Sequence, residues 1–190
     1  MMNSLLIIGA GGHGRCCLDI ARDMNSFDDV AFVDDIQIGE IITDCEVIGG
    51  TSDLVTLHTK FNKVFVAIGN NELRKKLILQ ALQIGYEVVN LISPHSVISQ
   101  YANIGMGCVV FPYVVIEAEA SIGNGCIIAA NASINHNAYI NDYCLIYSNS
   151  VIRPNTNIGE LTTIGSSCVV CFGLSVETKS YVKDGSMVEV

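Results

Sequence analysis

From Ile98 to Val188 every sixth residue is isoleucine or valine: Ile98, Ile104, Val110, Ile116, Ile122, Ile128, Ile134, Ile140, Ile146, Ile152, Ile158, Ile164, Val170, Val176, Val182 and Val188. A period of six fits neither an α-helix nor a simple strand. Two positions before each of these residues the chain is small, as at Ser96, Ala102, Cys108, Ala120, Cys126, Ala132, Ala138, Cys144, Ser150, Thr156, Thr162, Cys168, Ser180 and Ser186, with Val114 and Leu174 as exceptions. This is the pattern of a β-helix built from hexapeptides, in which short strands wind in flat coils. The β-branched residue points into the prism, and the small one fits where the chain turns a corner. At three hexapeptides per coil, residues 93 to 188 make about five coils. Their ends and flat faces call for a cap or for oligomerisation.

The first half of the chain has a different rhythm. Leu5 to Ile8 is an apolar strand, Gly9 to Gly14 a loop, Arg15 to Met24 a helix, and Val30 to Val33 a second strand ending in Asp34-Asp35. After an irregular stretch with Gly49-Gly50, Val64 to Ile68 predicts a third strand, Glu72 to Ile84 a helix, and Glu87 to Leu91 a further strand. Apolar runs between helices imply a small parallel sheet covered on both faces. Ser93-Pro94 punctuates the change of rhythm. The expected organisation is a Rossmann-like domain over residues 1–91 and a β-helix over 92–190.

Composition narrows the partners. The chain has 190 residues, half of them hydrophobic, and a formal charge of −9, which disfavours nucleic acid and anionic membranes. Small molecules or other proteins fit better. Four of the eight cysteines, Cys108, Cys126, Cys144 and Cys168, fall in the small column of the repeat, and no CxxC pair occurs. They read as free core thiols of a reducing compartment, while Cys16 and Cys17 point in different directions from one helix. Met1 to Ala10 is too short and lacks the basic start of a signal peptide, so the expected location is the cytoplasm. No metal site is read.

Gly9-Ala10-Gly11-Gly12-His13-Gly14 satisfies GxGxxG between a strand and a helix, with Asp34 and Asp35 about twenty residues beyond. Such a loop offers backbone N–H groups and a helix N-terminus to a pyrophosphate. Both NAD and a nucleotide sugar present that group, and a glycine turn serving packing alone is the third reading. The small size of the domain argues against NAD, whose folds use two halves. Among the histidines, His13 lies in the loop itself, His58 has no motif and is expected at the surface, and His95 stands at the entrance to the β-helix. His136 falls mid-helix, two residues after Ile134. There a neutral imidazole could take the proton of an acceptor amine or hydroxyl, or it could simply face solvent; periodicity does not decide.

Taken together, Ile8 to Gly14, Phe32-Val33-Asp34-Asp35, Ile48-Gly49-Gly50, Val66 to Asn71 with Arg74, Leu91 to His95, and the hexapeptides around His136 resemble the NeuD/PglD-like sugar O- and N-acetyltransferases. The resemblance spans nearly the whole chain. It implies a left-handed β-helix, a homotrimer with acetyl-CoA between subunits, and a UDP-sugar in the N-terminal domain. By that resemblance His136 is the general base, with Asn137 beside it, and coil N–H groups stabilise the oxyanion. Gly11, Gly12, His13, Gly14, Asp34, Asp35, Ala67, Ile68, Gly69 and Asn70 would hold the nucleotide sugar. Ser148, Arg153, Gly165 and Lys183 would meet CoA.

Several positions depart from the family pattern. An acidic residue commonly follows the histidine where this chain has Asn137, so a weaker base is expected unless Glu117 or Asp142 supplies the charge. A second histidine is often found where this chain has Leu145. Relatives also continue into a Gly-x-Pro-Ala-Lys tail beyond Met187-Val188-Glu189-Val190, and the β-helix carries only Arg153, Lys179 and Lys183 as basic residues, so sparse recognition of CoA phosphates is expected. The expected activity is acetyl transfer from acetyl-CoA to the amine of a UDP-amino sugar for surface glycans. The alternatives are O-acetylation of a sialic-acid-like hydroxyl, a catalytically degenerate scaffold trimer that binds nucleotide sugars, and an NAD-dependent oxidoreductase.

Overall fold

A computed structural model describes residues 3–189. The chain divides into two compact units, Met1–Leu91 and Ile92–Val190.

In the first unit, strands β1 (Ser4–Ile8), β2 (Asp29–Val33), β3 (Ile41–Ile42), β4 (Cys45–Glu46), β5 (Lys63–Val66) and β6 (Glu87–Val88) accompany helices α1 (Gly12–Asp23), α2 (Leu54–Leu57) and α3 (Asn71–Ile84). Four strands form a parallel sheet in the order β2-β1-β5-β6. All five β1 residues are buried, as an apolar run covered on both faces requires. Helix α1 begins at Gly12, three residues before the expected Arg15, because Gly11 serves as its N-cap with extended backbone. The expected irregular stretch holds an antiparallel hairpin, β3 with β4, a 3-10 turn at Thr51–Asp53, and α2. The predicted last strand is two: Glu87–Val88 joins this sheet, and Leu91–Ile92 opens a sheet of the β-helix. From β1 the chain passes to β2 on one side and later to β5 on the other. That reversal opens a crevice at the carboxyl ends of the strands.

The second unit is a parallel β-helix of two-residue strands. One face stacks Leu91–Ile92, Val109–Val110, Ile127–Ile128, Leu145–Ile146, Thr163–Ile164 and Tyr181–Val182. The second stacks Val97–Ile98, Val115–Ile116, Ser133–Ile134, Val151–Ile152, Val169–Val170 and Met187–Val188, and the third runs from Asn103–Ile104 to Ser175–Val176. Each strand pairs with the one eighteen residues on, as Ile116 with Ile134 and Ile134 with Ile152. The isoleucine and valine of each repeat therefore stack in columns that fill the prism.

Each corner needs a sharp turn, and one backbone conformation supplies it. Every sixth residue from Gly107 to Gly185 has φ between 56° and 71°, whether it is glycine, asparagine or a bulkier residue such as Tyr143 or Leu161. Asparagine and glycine tolerate this left-handed region best. The small residue follows, and it does more than save space. The thiols of Cys108, Cys126, Cys144 and Cys168 donate to carbonyls of the next coil at 3.0–3.1 Å. Ser150 and Thr162 do the same at 2.6 and 2.9 Å. All eight cysteines are free, and these four are fully buried. The column is thus a hydrogen-bonded ladder as well as a packing layer.

Candidate active site

The crevice of the first unit encloses about 310 Å³ and is lined by the ends of β1, β2 and β5 and by one face of α3, including Gly9, Asp34, Asp35, Thr51, Ile68 and Lys76. Its glycines have distinct duties. Gly9 has φ of 103°, and a Cβ on Gly14 would lie 1.9 Å from the Gly9 carbonyl oxygen, so Gly14 lets α1 pack on the loop. At Gly11 and Gly12 a Cβ would meet nothing within 4 Å, which leaves their backbone open to a ligand.

Asp34 accepts from the Ala10 N–H and the Ile36 N–H, both at 3.0 Å, and so pins the glycine loop to the end of β2. Burial alone would raise its pKa, but N–H donors from Ala10, Ile36 and Gln37 and the Gln37 side chain together hold it below the ordinary value. Asp35 accepts from the Thr51 N–H at 2.6 Å and the Thr51 hydroxyl at 3.1 Å. Both carboxylates brace loops of the crevice. His13 is half-buried, with Nε2 3.7 Å from the Cys17 sulfur. Burial, and then the charge of Arg74, lower its pKa from 6.5 to about 4, so the ring is neutral at physiological pH. Ala67 N–H bonds to the Ile8 carbonyl at 2.8 Å, and Asn70 caps α3 by accepting from the Leu73 N–H at 2.9 Å. Of the sequence-predicted residues of this unit, Asp34, Asp35 and Ile68 line the crevice, whereas Gly11, Gly12, His13 and Gly14, in the loop after β1 and the start of α1, and Ala67, Gly69 and Asn70, in the loop after β5, are not part of its lining.

In the second unit His136 lies at the corner that follows the strand Ser133–Ile134 and is exposed. Asn137 takes the left-handed corner position, with φ of 59°, and its Oδ1 lies 2.9 Å from His136 Nδ1. An amide oxygen only accepts, so this contact places the ring proton on Nδ1 and leaves the Nε2 lone pair free. Glu117, one coil below, accepts from the His136 backbone N–H at 2.8 Å. Asp142 is occupied at another corner by the N–H and side chain of Asn124. Neither carboxylate is hydrogen-bonded to the imidazole, so the ring's hydrogen-bond partner is the uncharged Asn137.

The expected oxyanion donors are also missing from this turn. The N–H groups of Asn135, His136, Asn137 and Ala138 all donate within the chain, to Ile152, Glu117, Ala118 and Asn135 respectively. One coil away, in the column of His136, the Ala118 N–H meets no acceptor among the described residues.

The expected CoA contacts divide between corners. Arg153 shares the corner of His136, one coil on, and is exposed. Ser148, Gly165 and Lys183 cluster at the other edge of the same face, after the strands Leu145–Ile146, Thr163–Ile164 and Tyr181–Val182. Gly165 is buried against Asp184, and its N–H and carbonyl are both engaged by neighbouring coils. His95 is exposed with its ring 6.4 Å from Tyr113. His58 was expected at the surface but is half-buried, edge-on to Tyr86 at 4.6 Å. Sequence reasoning gave no role to Arg74, which is 0% exposed beneath the loop after β5. Its spacing from Leu77, Ile78 and Ala81 puts it on the buried stripe of α3, and that spacing was the available signal. Among the described residues no cluster of three or more His, Cys, Asp or Glu side chains could hold a metal ion.

Known proteins share both units. Residues 4–81 match the family model of the PglD N-terminal domain, and residues 92–188 match that of the GMPPB C-terminal domain. A GDP-perosamine N-acetyltransferase of Escherichia coli O157:H7 is 30% identical over 116 residues, a stretch covering 57% of this chain and 51% of that protein. The match thus spans about half the length of that relative. The acetyltransferase domain of PglB from Neisseria gonorrhoeae FA1090, in complex with acetyl coenzyme A, superposes with a TM-score of 0.94 at 28% identity, covering 99% of this chain and 93% of that one. A variant of GDP-perosamine N-acetyltransferase from Caulobacter crescentus, in complex with CoA and GDP-perosamine, superposes with a TM-score of 0.95 at 28% identity, covering 100% and 90%.

Proposed function

The chain belongs to the NeuD/PglD-like acetyltransferase family, with its left-handed β-helix, and on that premise we propose that it transfers an acetyl group from acetyl-CoA to the amine of a nucleotide-activated amino sugar. The observation that carries this reading is the His136–Asn137 corner. An exposed imidazole with its proton fixed on Nδ1 is a general base at Nε2. In the reaction the neutral sugar amine attacks the thioester carbonyl, the C–N bond forms, and a tetrahedral oxyanion appears. Nε2 takes the proton from the new ammonium, and collapse of the intermediate breaks the C–S bond and releases CoA as its thiolate. Nitrogen is favoured over a hydroxyl acceptor because the relatives with the same two-unit architecture are named for N-acetylation.

The nucleotide sugar would lie in the crevice of the first unit, with its diphosphate at the open backbone of Gly11 and Gly12. Relatives bound to GDP-perosamine make a GDP-sugar as reasonable a substrate as the UDP-sugar expected from sequence. A homotrimer fits the β-helix, since its second face is apolar and lies between the His136 corner and the corner of Ser148 and Lys183. Packing that face against a neighbour would bring the two corners of different subunits together. The Ala118 N–H, one coil from His136, would serve as an oxyanion donor that the turn of His136 itself lacks. Surface-glycan synthesis in the cytoplasm is the setting this activity fits.

The reading is tested by thiol release from acetyl-CoA in the presence of GDP- and UDP-amino sugars. His136→Ala should lower turnover by about 100-fold or more, the usual worth of a positioned base. Asn137→Gly keeps the corner conformation but removes the amide, so it should lower kcat without lowering thermal stability. If wild type releases no more thiol than His136→Ala with every sugar, the enzyme reading fails and the scaffold reading replaces it.

A further inference from the structure

The loop after β5 turns its backbone in a way that Arg74 explains. One terminal nitrogen of the buried guanidinium donates to the carbonyls of Ile68 at 2.9 Å and Gly69 at 3.1 Å, and the other donates to Asn71 Oδ1 at 2.8 Å. The guanidinium is a rigid planar fork, so it fixes the directions of the groups it binds. Among the described residues no peptide bond is cis, and in a trans peptide the C=O and the following N–H point in opposite directions. With both carbonyls facing Arg74, the N–H groups of Gly69 and Asn70 face away from it. Neither N–H meets an acceptor among the described residues, and a Cβ on Gly69 would meet nothing within 4 Å. Ile68, the neighbouring residue, lines the crevice.

We propose that Arg74 is a positioning residue whose buried fork holds the Gly69 and Asn70 N–H groups outward as a donor pair for a phosphate oxygen of the nucleotide sugar. The inference rests on the nucleotide-sugar reading of the crevice. A phosphate oxygen is the fitting acceptor because the donors stand over a buried positive charge, and an anion gains from that charge where a neutral carbonyl gains little. The same charge acts on His13 of the glycine loop, so the two loops flanking the crevice share one cation. Burial of an arginine in so small a domain is costly without such a duty.

Arg74→Lys keeps the charge but not the fork, and Arg74→Met removes both. Titration calorimetry of the full chain with GDP, UDP and acetyl-CoA separates the outcomes. For Arg74→Lys the tighter-binding nucleotide should weaken about tenfold, the size of one lost hydrogen bond to an ion, while acetyl-CoA affinity is unchanged. In turnover, KM for the nucleotide sugar should rise with kcat preserved. Unchanged nucleotide affinity in Arg74→Lys overturns the proposal while leaving the nucleotide-sugar reading intact. Equal weakening of acetyl-CoA also overturns it, as a sign of general damage. Wild type that binds neither GDP nor UDP removes the nucleotide reading and this inference together. If Arg74→Met does not fold, Arg74→Lys alone decides.

Discussion

His13 shows how strongly one side chain in the glycine loop depends on its surroundings. An unfolded chain takes up a proton at this ring below pH 6.5, whereas the folded chain refuses it until about pH 4. The stability contributed by the neutral ring is therefore complete above pH 6.5 and is lost as pH falls toward 4. The loss is about 3 kcal/mol at its fullest. His13→Asn should flatten that part of the stability curve, as read by denaturant unfolding at pH 7 and pH 4.5. If both proteins lose the same stability between those two conditions, the ring is not held neutral. Asp34, whose N–H donors hold its pKa below the ordinary value, loses its contribution in the same direction as pH falls, and Asp35 accepts from Thr51 at the same rim. Their place after a strand was visible in the sequence, but the donors they bind come from Ala10 and Thr51, more than fifteen positions away, and no local pattern encodes that.

At the scale of elements, the regular parts were legible because their periods are physical. The isoleucine and valine column, the parallel sheet and both long helices follow from side chains that must alternate or recur to be buried. The β3–β4 hairpin was not legible. Its strands are two residues each, and its turn at Thr43-Asp44 lacks the Asn-Gly or Asp-Gly signal of a tight hairpin, although Thr43 takes a φ of 63°. The small column was read correctly as small, but size alone hides its second duty. Ser150 donates to the Gly165 carbonyl and accepts from the Cys168 N–H at 3.1 Å, both inside the prism. Ser150→Ala would strand two buried groups and should destabilise the β-helix by about 1–3 kcal/mol. Ser150→Cys restores the ladder found at the neighbouring coils and should recover most of that loss. Chemical denaturation of the two variants decides whether hydrogen bonding or volume governs the column.

For the whole molecule, the three faces of the prism differ in what they offer. The outward column of the second face is Val97, Val115, Ser133, Val151, Val169 and Met187, with Val97 65% and Met187 60% exposed, whereas the third presents Asn103, Ser121, Tyr139, Asn157 and Ser175. A strip that is apolar but for Ser133, on a chain of net charge −9, suits association. Val151→Lys, placed mid-strip, is expected to convert the proposed trimer to monomers in analytical ultracentrifugation and to abolish turnover, because the proposed site needs two subunits. Activity retained by a monomeric Val151→Lys protein would show that one chain suffices. The corner conformation repeated along the β-helix has a last consequence, for how such a site can vary. The residue after His136 adopts the left-handed corner shape, for which asparagine and aspartate are best suited after glycine, and those two are isosteres that differ in charge. The scaffold thus favours asparagine or aspartate beside the proposed base without requiring either, since Tyr143, Leu161 and Lys179 hold the same shape at other corners. Exchange between those two would change the charge beside the proposed base at little cost to the corner.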